Sequence, residues 1–167
     1  MKTLPIDLLR DAILKLMEET YVAPPDPGET WFTDNEPDAG ILGTIRGLDA
    51  DTANTPVGDG TTVASHVGHL VYALGLFNRL LRGENPYADA DWKGSWSARP
   101  LTDSEWSRLI QSLEDEYSRA REALSDHAPS PVAWENPDVL TDIFAALAHG
   151  AWHLGSIRKT IEVAAER

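Results

Sequence analysis

Helical periodicity is the feature that most constrains the fold of this chain. Apolar side chains recur every three or four positions through four long segments, and no stretch alternates apolar and polar residues over a useful length. This spacing collects apolar residues on one side of an α-helix, whereas a half-buried strand needs a period of two. The sequence therefore predicts an all-α fold, a four-helix bundle with long connecting loops.

Capping residues mark where these helices begin. Thr61 or Thr62 can cap the second helix, Thr102 and Glu105 form a capping box for the third, and Asn136 is the expected cap of the last. The predicted long helices cover residues 5–21, 61–82, 102–124 and 136–161, and a short helix is expected near residues 39–48.

Length and charge narrow the class of protein. A chain of 167 residues with 42% hydrophobic content is long enough for one domain, here residues 1–167, and too short to expect two. Fourteen Lys and Arg residues stand against 27 Asp and Glu residues, which gives a formal net charge of −13. This charge repels phosphate backbones and anionic lipid surfaces, so neither a nucleic acid nor a membrane is an expected partner.

The absence of cysteine limits the available chemistry. A chain without Cys has no disulfide framework, no thiolate nucleophile and no Cys-ligated metal. Any metal ligands must then be nitrogen or oxygen atoms. The N-terminal apolar run is interrupted by acids too soon for a signal peptide, and no stretch reaches the ~18 apolar residues of a membrane span. We therefore expect a cytoplasmic protein.

Two histidines four residues apart are the strongest candidates for chemistry. His149 and His153 lie on the predicted last helix, where a spacing of four puts both rings on one face, ~6 Å apart along the axis. The second helix offers His66 and His69, and periodicity does not choose between them. Three neutral imidazoles from two helices would leave one position open on a tetrahedral cation, as in catalytic zinc sites. The alternative is that these histidines are hydrogen-bonding residues of the core.

The surroundings of the histidine pair leave several roles open. A line of small and polar residues runs beside the pair and leaves room for an ion and a ligand: Asp142, Ala146, Ser156 and Thr160. Asp142 is too far from His149 to share an ion directly. It either supports a ligand from behind or faces a substrate, or it is an ordinary negative charge near the N-terminus of its helix, which is the favoured interpretation. Arg158 either contacts an anionic ligand or offsets the helix dipole.

The connection over residues 84–100 is longer than a compact bundle usually needs. Its Trp92 and Trp96 could cover the opening of a site, but local packing at one end of the bundle is the favoured interpretation. The same interpretation is favoured for Trp31 and Phe32 in the first long connection. His127 is expected in a surface loop.

Two motifs resemble the DinB-like (YfiT-like) family of metalloenzymes. Residues 61–70, TTVASHVGHL, are similar to the family's second helix, in which a histidine directly before an aliphatic residue is the first ligand. Residues 149–158, HGAWHLGSIR, resemble its His-x-x-x-His-x-Gly element, which supplies two more. The resemblance covers most of the chain and implies a divalent metal ion on His69, His149 and His153. The family commonly has Gln where this chain has Ser156.

The resemblance implies a range of activities rather than a single reaction. Members include thiol-dependent S-transferases, isomerases that use a low-molecular-weight thiol, and hydrolases. A Zn, Ni or Fe ion on three imidazoles can lower the pKa of a bound water to near 7 or ionise a bound thiol. Because this chain lacks Cys, such a thiol would have to arrive as a cosubstrate.

Three hypotheses follow for the function. The first is a metal-dependent enzyme, a thiol S-transferase or hydrolase that acts on a small-molecule substrate. The second is a non-catalytic metal- or small-molecule-binding bundle of the same family. The third is a purely structural bundle. Bundles of this kind often pair through helix faces, so a homodimer is one expected state.

Overall fold

The computed structural model describes residues 5–26, 28–96, 99–125, 132–134 and 136–166. These residues form six α-helices and, between the fourth and fifth of them, two 3₁₀ helices, Pro86–Asp89 and Gly94–Trp96. The α-helices are α1 (Ile6–Tyr21), α2 (Ile41–Arg46), α3 (Ala50–Asn54), α4 (Val63–Leu81), α5 (Asp103–Leu124) and α6 (Pro137–Ala165). The part of the chain that is described contains no strand, only an isolated bridge between Val57 and Thr61. The predicted all-α fold is confirmed, and α3 is a short helix that the sequence analysis did not anticipate.

Side-chain caps begin α4, α5 and α6. At α4 the Ser65 N–H donates to Thr62 Oγ1 over 2.9 Å, and Ser65 Oγ accepts from the Thr62 N–H over 3.0 Å. Thr102 and Glu105 exchange the same pair of bonds at α5. Asn136 Oδ1 accepts from the Asp138 N–H at α6. These bonds satisfy N–H groups that have no partner inside the helix.

Helix α4 is the central element of the fold. It packs against α5, α6 and α3 and against both 3₁₀ helices. Its apolar face meets those of the other long helices in one core, whose fully buried members include Ile13, Met17, Val67, Leu70, Leu113, Leu124, Ile143 and Ile157. Removal of this apolar surface from water drives the association of the helices. None of the described helices has the length and apolar character needed to cross a bilayer.

A close approach between α6 and the end of α1 fixes the position of α6. A Cβ atom at Gly150 would lie 2.9 Å from Tyr21 Oη and 3.0 Å from Thr20 Cγ2, which is too close for any larger residue. The Tyr21 ring is buried and stacks on Tyr117 with a centroid distance of 5.0 Å. Glycine at position 150 therefore lets α6 dock directly on α1, one residue beyond His149.

Buried Glu19 holds the connection between α1 and α2. Its carboxylate accepts hydrogen bonds from the N–H groups of Trp31, Phe32 and Thr33 and from the hydroxyls of Thr30 and Thr33. Burial alone would raise the pKa of Glu19, but these bonds outweigh it and lower the pKa from 4.5 to about 2. One buried carboxylate thus holds the backbone of residues 31–33 in place.

The aromatic residues and the arginine near this connection have local partners. Trp31 is half exposed, and the Lys15 ammonium lies 4.5 Å from the centroid of its ring. Arg158 donates to the carbonyl oxygen of Ala39 and pairs with Asp34 at 3.2 Å. Arg158 therefore ties α6 to the segment before α2.

Candidate metal centre

Helices α4 and α6 bring three histidine rings to one point. His69 Nε2 lies 3.2 Å from His149 Nε2, and His149 Nε2 lies 3.0 Å from His153 Nε2. One ligand atom from each of the three residues falls within 4.8 Å of the other two. The residues that the family resemblance implied as ligands are therefore adjacent in space, although 80 residues of chain separate His69 from His149.

The spacing of these nitrogens fits a tetrahedral ion. Three imidazole nitrogens bound at about 2.0–2.1 Å to one such ion would lie roughly 3.3 Å from one another. The contacts of 3.0 and 3.2 Å are close to this value, and the ligand atoms of His69 and His153 lie within 4.8 Å of each other. An imidazole binds a metal only in its neutral form, and the environment here favours that form. The three rings could therefore hold a divalent ion without a large rearrangement.

Burial keeps the rings neutral. His69 and His153 are 4% and 0% exposed, and His149 is half buried. Burial, reinforced by the neighbouring histidines, lowers the pKa of His69 to about 4 and that of His153 to about 2. Burial also lowers the pKa of His149. These shifts have the direction expected when a positive charge must leave water.

Ser95 fixes the orientation of the His69 ring. Ser95 Oγ donates to the carbonyl oxygen of Trp92 over 2.7 Å, so its contact of 2.7 Å with His69 Nδ1 is one in which Ser95 accepts. His69 then carries its proton on Nδ1 and presents a lone pair on Nε2 toward the other two histidines. Sequence reasoning missed Ser95, because nothing in a loop serine indicates which ring it will meet.

His66 supports His153 in a comparable way. The two Nδ1 atoms lie 2.9 Å apart, and the His66 side chain is 4% exposed. With the His153 proton on Nδ1, donated to His66, the His153 Nε2 lone pair points at His149. The periodicity of α4 could not choose between His66 and His69 as a ligand. In the structure His69 belongs to the three-histidine cluster, whereas His66 lies behind His153 and contacts its Nδ1 atom.

Both tryptophans of the long loop lie against the histidines. Trp96 stacks on His69 with ring centroids 4.2 Å apart and an angle of 20° between the planes, and Trp92 lies 5.9 Å from the same ring. Local packing at one end of the bundle was the interpretation favoured from the sequence. In the structure both indoles pack against the His69 ring, so this loop packs directly on the candidate site.

Two cavities flank the histidine cluster. The first, of about 350 Å³, is lined by His69 and His149 together with Asp142, Ala146 and aromatic residues of α4 and the loop. The second, of about 650 Å³, is lined by His66, Ser156 and Thr160 among others. The small polar line predicted along α6 therefore splits at the cluster, with Asp142 and Ala146 on one side and Ser156 and Thr160 on the other. His127 lies outside the described residues.

Fold and site together define an all-α protein with a candidate three-histidine metal centre. A family model described as the DinB superfamily matches residues 38–158, a span that contains all three histidines. This chain belongs to the DinB superfamily, as the two motifs predicted. Searches of curated proteins and of solved structures found no match.

Proposed function

We propose that this protein is a divalent-metal-dependent enzyme in which His69, His149 and His153 hold the ion. The observation that carries this proposal is the convergence of their Nε2 atoms, with contacts of 3.0 and 3.2 Å. Zn, Ni and Fe all accept imidazole ligands. A bound ion would supply a Lewis acid that generates a nucleophile from water or a thiol near neutral pH.

The chain's own residues prepare this centre. Ser95 contacts Nδ1 of His69 and His66 contacts Nδ1 of His153, so that both rings present their Nε2 lone pair to the ion. Trp96 covers the His69 face and limits the access of water. His69 and His149 also border the smaller cavity, where a substrate can reach the centre.

The reaction we propose is a thiol S-transfer or a hydrolysis of a small electrophile. The chain has no Cys, so the thiol in the first reaction is a low-molecular-weight cosubstrate. The candidate site residues predicted from the sequence do not form a Ser-His-Asp triad. In this proposal the nucleophile is therefore generated by the metal. The single domain, the cytoplasmic location and the homodimer predicted from the sequence are part of this proposal.

Metal analysis of the purified protein tests the centre. Wild-type protein is expected to hold close to one ion per chain, and His149→Ala and His153→Ala are expected to lose it while keeping their helical circular dichroism. Equal metal content in all three proteins would remove the proposed site.

Turnover tests the activity. The metal-loaded protein is assayed with a panel of small electrophiles, with and without a small thiol, and then again after chelation. Product formation that stops on chelation and returns with added metal supports an enzyme. A metal-loaded protein that turns over nothing in the panel supports the non-catalytic metal-binding bundle.

A further inference from the structure

The smaller cavity beside the histidines is apolar except at its two ends. We propose that it binds a small aromatic or apolar molecule that carries a cationic amine, with the amine at Asp142 and the opposite end at His69 and His149. This inference rests on the proposed function, because it names the class of substrate for that site.

The middle of the cavity is lined by apolar and aromatic side chains. Leu74 and Phe77 of α4 form one wall, and Tyr87 and Trp92 of the long loop form another. The volume of about 350 Å³ is that of a site for a small organic molecule. An apolar molecule gains binding free energy here because it leaves water, whereas a small, fully polar molecule has no apolar surface to bury against these walls.

Asp142 gives the far end of the cavity a negative charge. The Tyr87 hydroxyl shares this end of the cavity with the carboxylate, and burial together with the charge of Asp142 raises the pKa of Tyr87. A carboxylate has two acceptor oxygens, so one tyrosine leaves it with unused capacity. The described residues that line the cavity include no Lys or Arg, so no cation of the protein neutralises Asp142 inside it.

An amine is the group that best completes this end. An ammonium would donate a charge-assisted hydrogen bond to Asp142 and would lie beside the aromatic rings of Tyr87 and Trp92, whose faces attract cations. A carboxylate or phosphate in the same place would meet Asp142 with a like charge and no compensating donor. The net charge of −13 also favours the approach of cations over anions.

The spacing along α6 sets the length of the molecule. Asp142 and His149 are seven residues apart, which puts them on the same face of the helix and about 10 Å apart along its axis. Ala145 and Ala146 lie between them, and their small side chains leave the path open. The molecule that fits is therefore elongated, with its amine and its reacting group at opposite ends.

A matched set of three probes tests the preference for a cation. The probes are 4-methylbenzylamine, 4-methylbenzyl alcohol and 4-methylbenzoate, which share one ring and differ in charge. Each is titrated into metal-free protein while the indole N–H signals are followed by NMR. We expect the amine to bind about tenfold or more tightly than the alcohol, and the benzoate to bind most weakly.

Two variants of equal charge locate the effect. Asp142→Asn should bring the amine to the affinity of the alcohol, whereas Asp138→Asn, on the exposed first turn of α6, should leave the preference intact. Equal binding of amine and alcohol to the wild type, an amine preference that survives in Asp142→Asn, or no binding of any probe would each overturn the inference. The metal content is measured separately, so failure of the metal centre and failure of the amine preference give different results.

Discussion

At the scale of single residues, the histidine cluster depends on what lies on the far side of each ring. Sequence spacing and the family motifs identify His149, His153 and His69, because ligand spacing on a helix leaves a readable pattern. They do not identify Ser95 or the role of His66. Those roles depend on how a loop and a second helix approach the Nδ1 atoms, which is a tertiary feature with no local signal.

His66 is expected to tune metal affinity without binding the ion. His66→Ala leaves His153 Nδ1 buried without its partner and should weaken zinc binding about 10- to 100-fold, with the stoichiometry unchanged at saturation. His66→Asn keeps a polar partner near Nδ1 and should recover part of the loss. Competition against a chromophoric chelator at neutral pH measures both variants. An unchanged zinc affinity in His66→Ala would show that this contact has no positioning role.

Glu19 should make the stability of the protein depend on pH. Its folded pKa of about 2 lies below the usual value of 4.5, so its contribution is complete above 4.5 and is lost as the pH falls toward 2. The contribution at neutral pH is about 3 kcal/mol. Glu19→Gln should be destabilised by roughly that amount at neutral pH in urea unfolding, and the difference should shrink near pH 3.

Exposed Glu29 provides the charge-matched control for this prediction. Glu29→Gln removes the same charge from a residue that pairs with Lys15 through a long surface contact of 3.6 Å. Its effect should stay within about 0.5 kcal/mol at either pH. A difference between wild type and Glu19→Gln that does not change with pH would contradict the role of the buried anion.

At the scale of elements, the sequence predicts the long helices and the short helix α2, but not the short helix α3. Thr102 with Glu105 and Asn136 before Pro137 place the starts of α5 and α6, because capping is a local interaction that a few residues specify. Helix α3 has only five residues and no apolar repeat of its own. Its position depends on contacts with distant residues, such as the Asn54 side chain that donates to the Leu101 carbonyl.

Two glycines of α6 should respond in opposite ways to the same substitution. Gly150→Ala puts a methyl group within about 3 Å of Tyr21 and should destabilise the protein by about 1–3 kcal/mol. Gly155→Ala meets no atom within 4 Å and should stabilise the helix by up to about 1 kcal/mol. Thermal and chemical unfolding of the pair compare the two effects on the same helix. The same sign for both substitutions would show that α6 does not dock on α1 through Gly150.

At the scale of the whole molecule, the candidate centre joins helices from distant parts of the chain. An ion held by His69 and by the pair on α6 would bind the folded protein and not the unfolded chain. At a free concentration 100 times the dissociation constant it would add about 2.7 kcal/mol to the free energy of unfolding. For a protein of this size that corresponds to a rise in Tm of about 5–10 °C.

This coupling is measurable by thermal denaturation with added zinc or with a chelator. The wild type should gain the full shift, and His149→Ala, which removes one ligand from α6, should gain little of it. A shift of equal size in both proteins would place the stabilising ion elsewhere on this acidic surface.

The aromatic surroundings of the cluster have a consequence for spectroscopy. Of the six tryptophans in the chain, Trp92, Trp96 and Trp152 all lie in ring contact with histidines of the cluster or with His66. Half of the indole fluorophores are therefore concentrated at a single locus. The intrinsic fluorescence of the protein therefore reports on that locus, and a ligand or ion that enters it changes the emission of three tryptophans together.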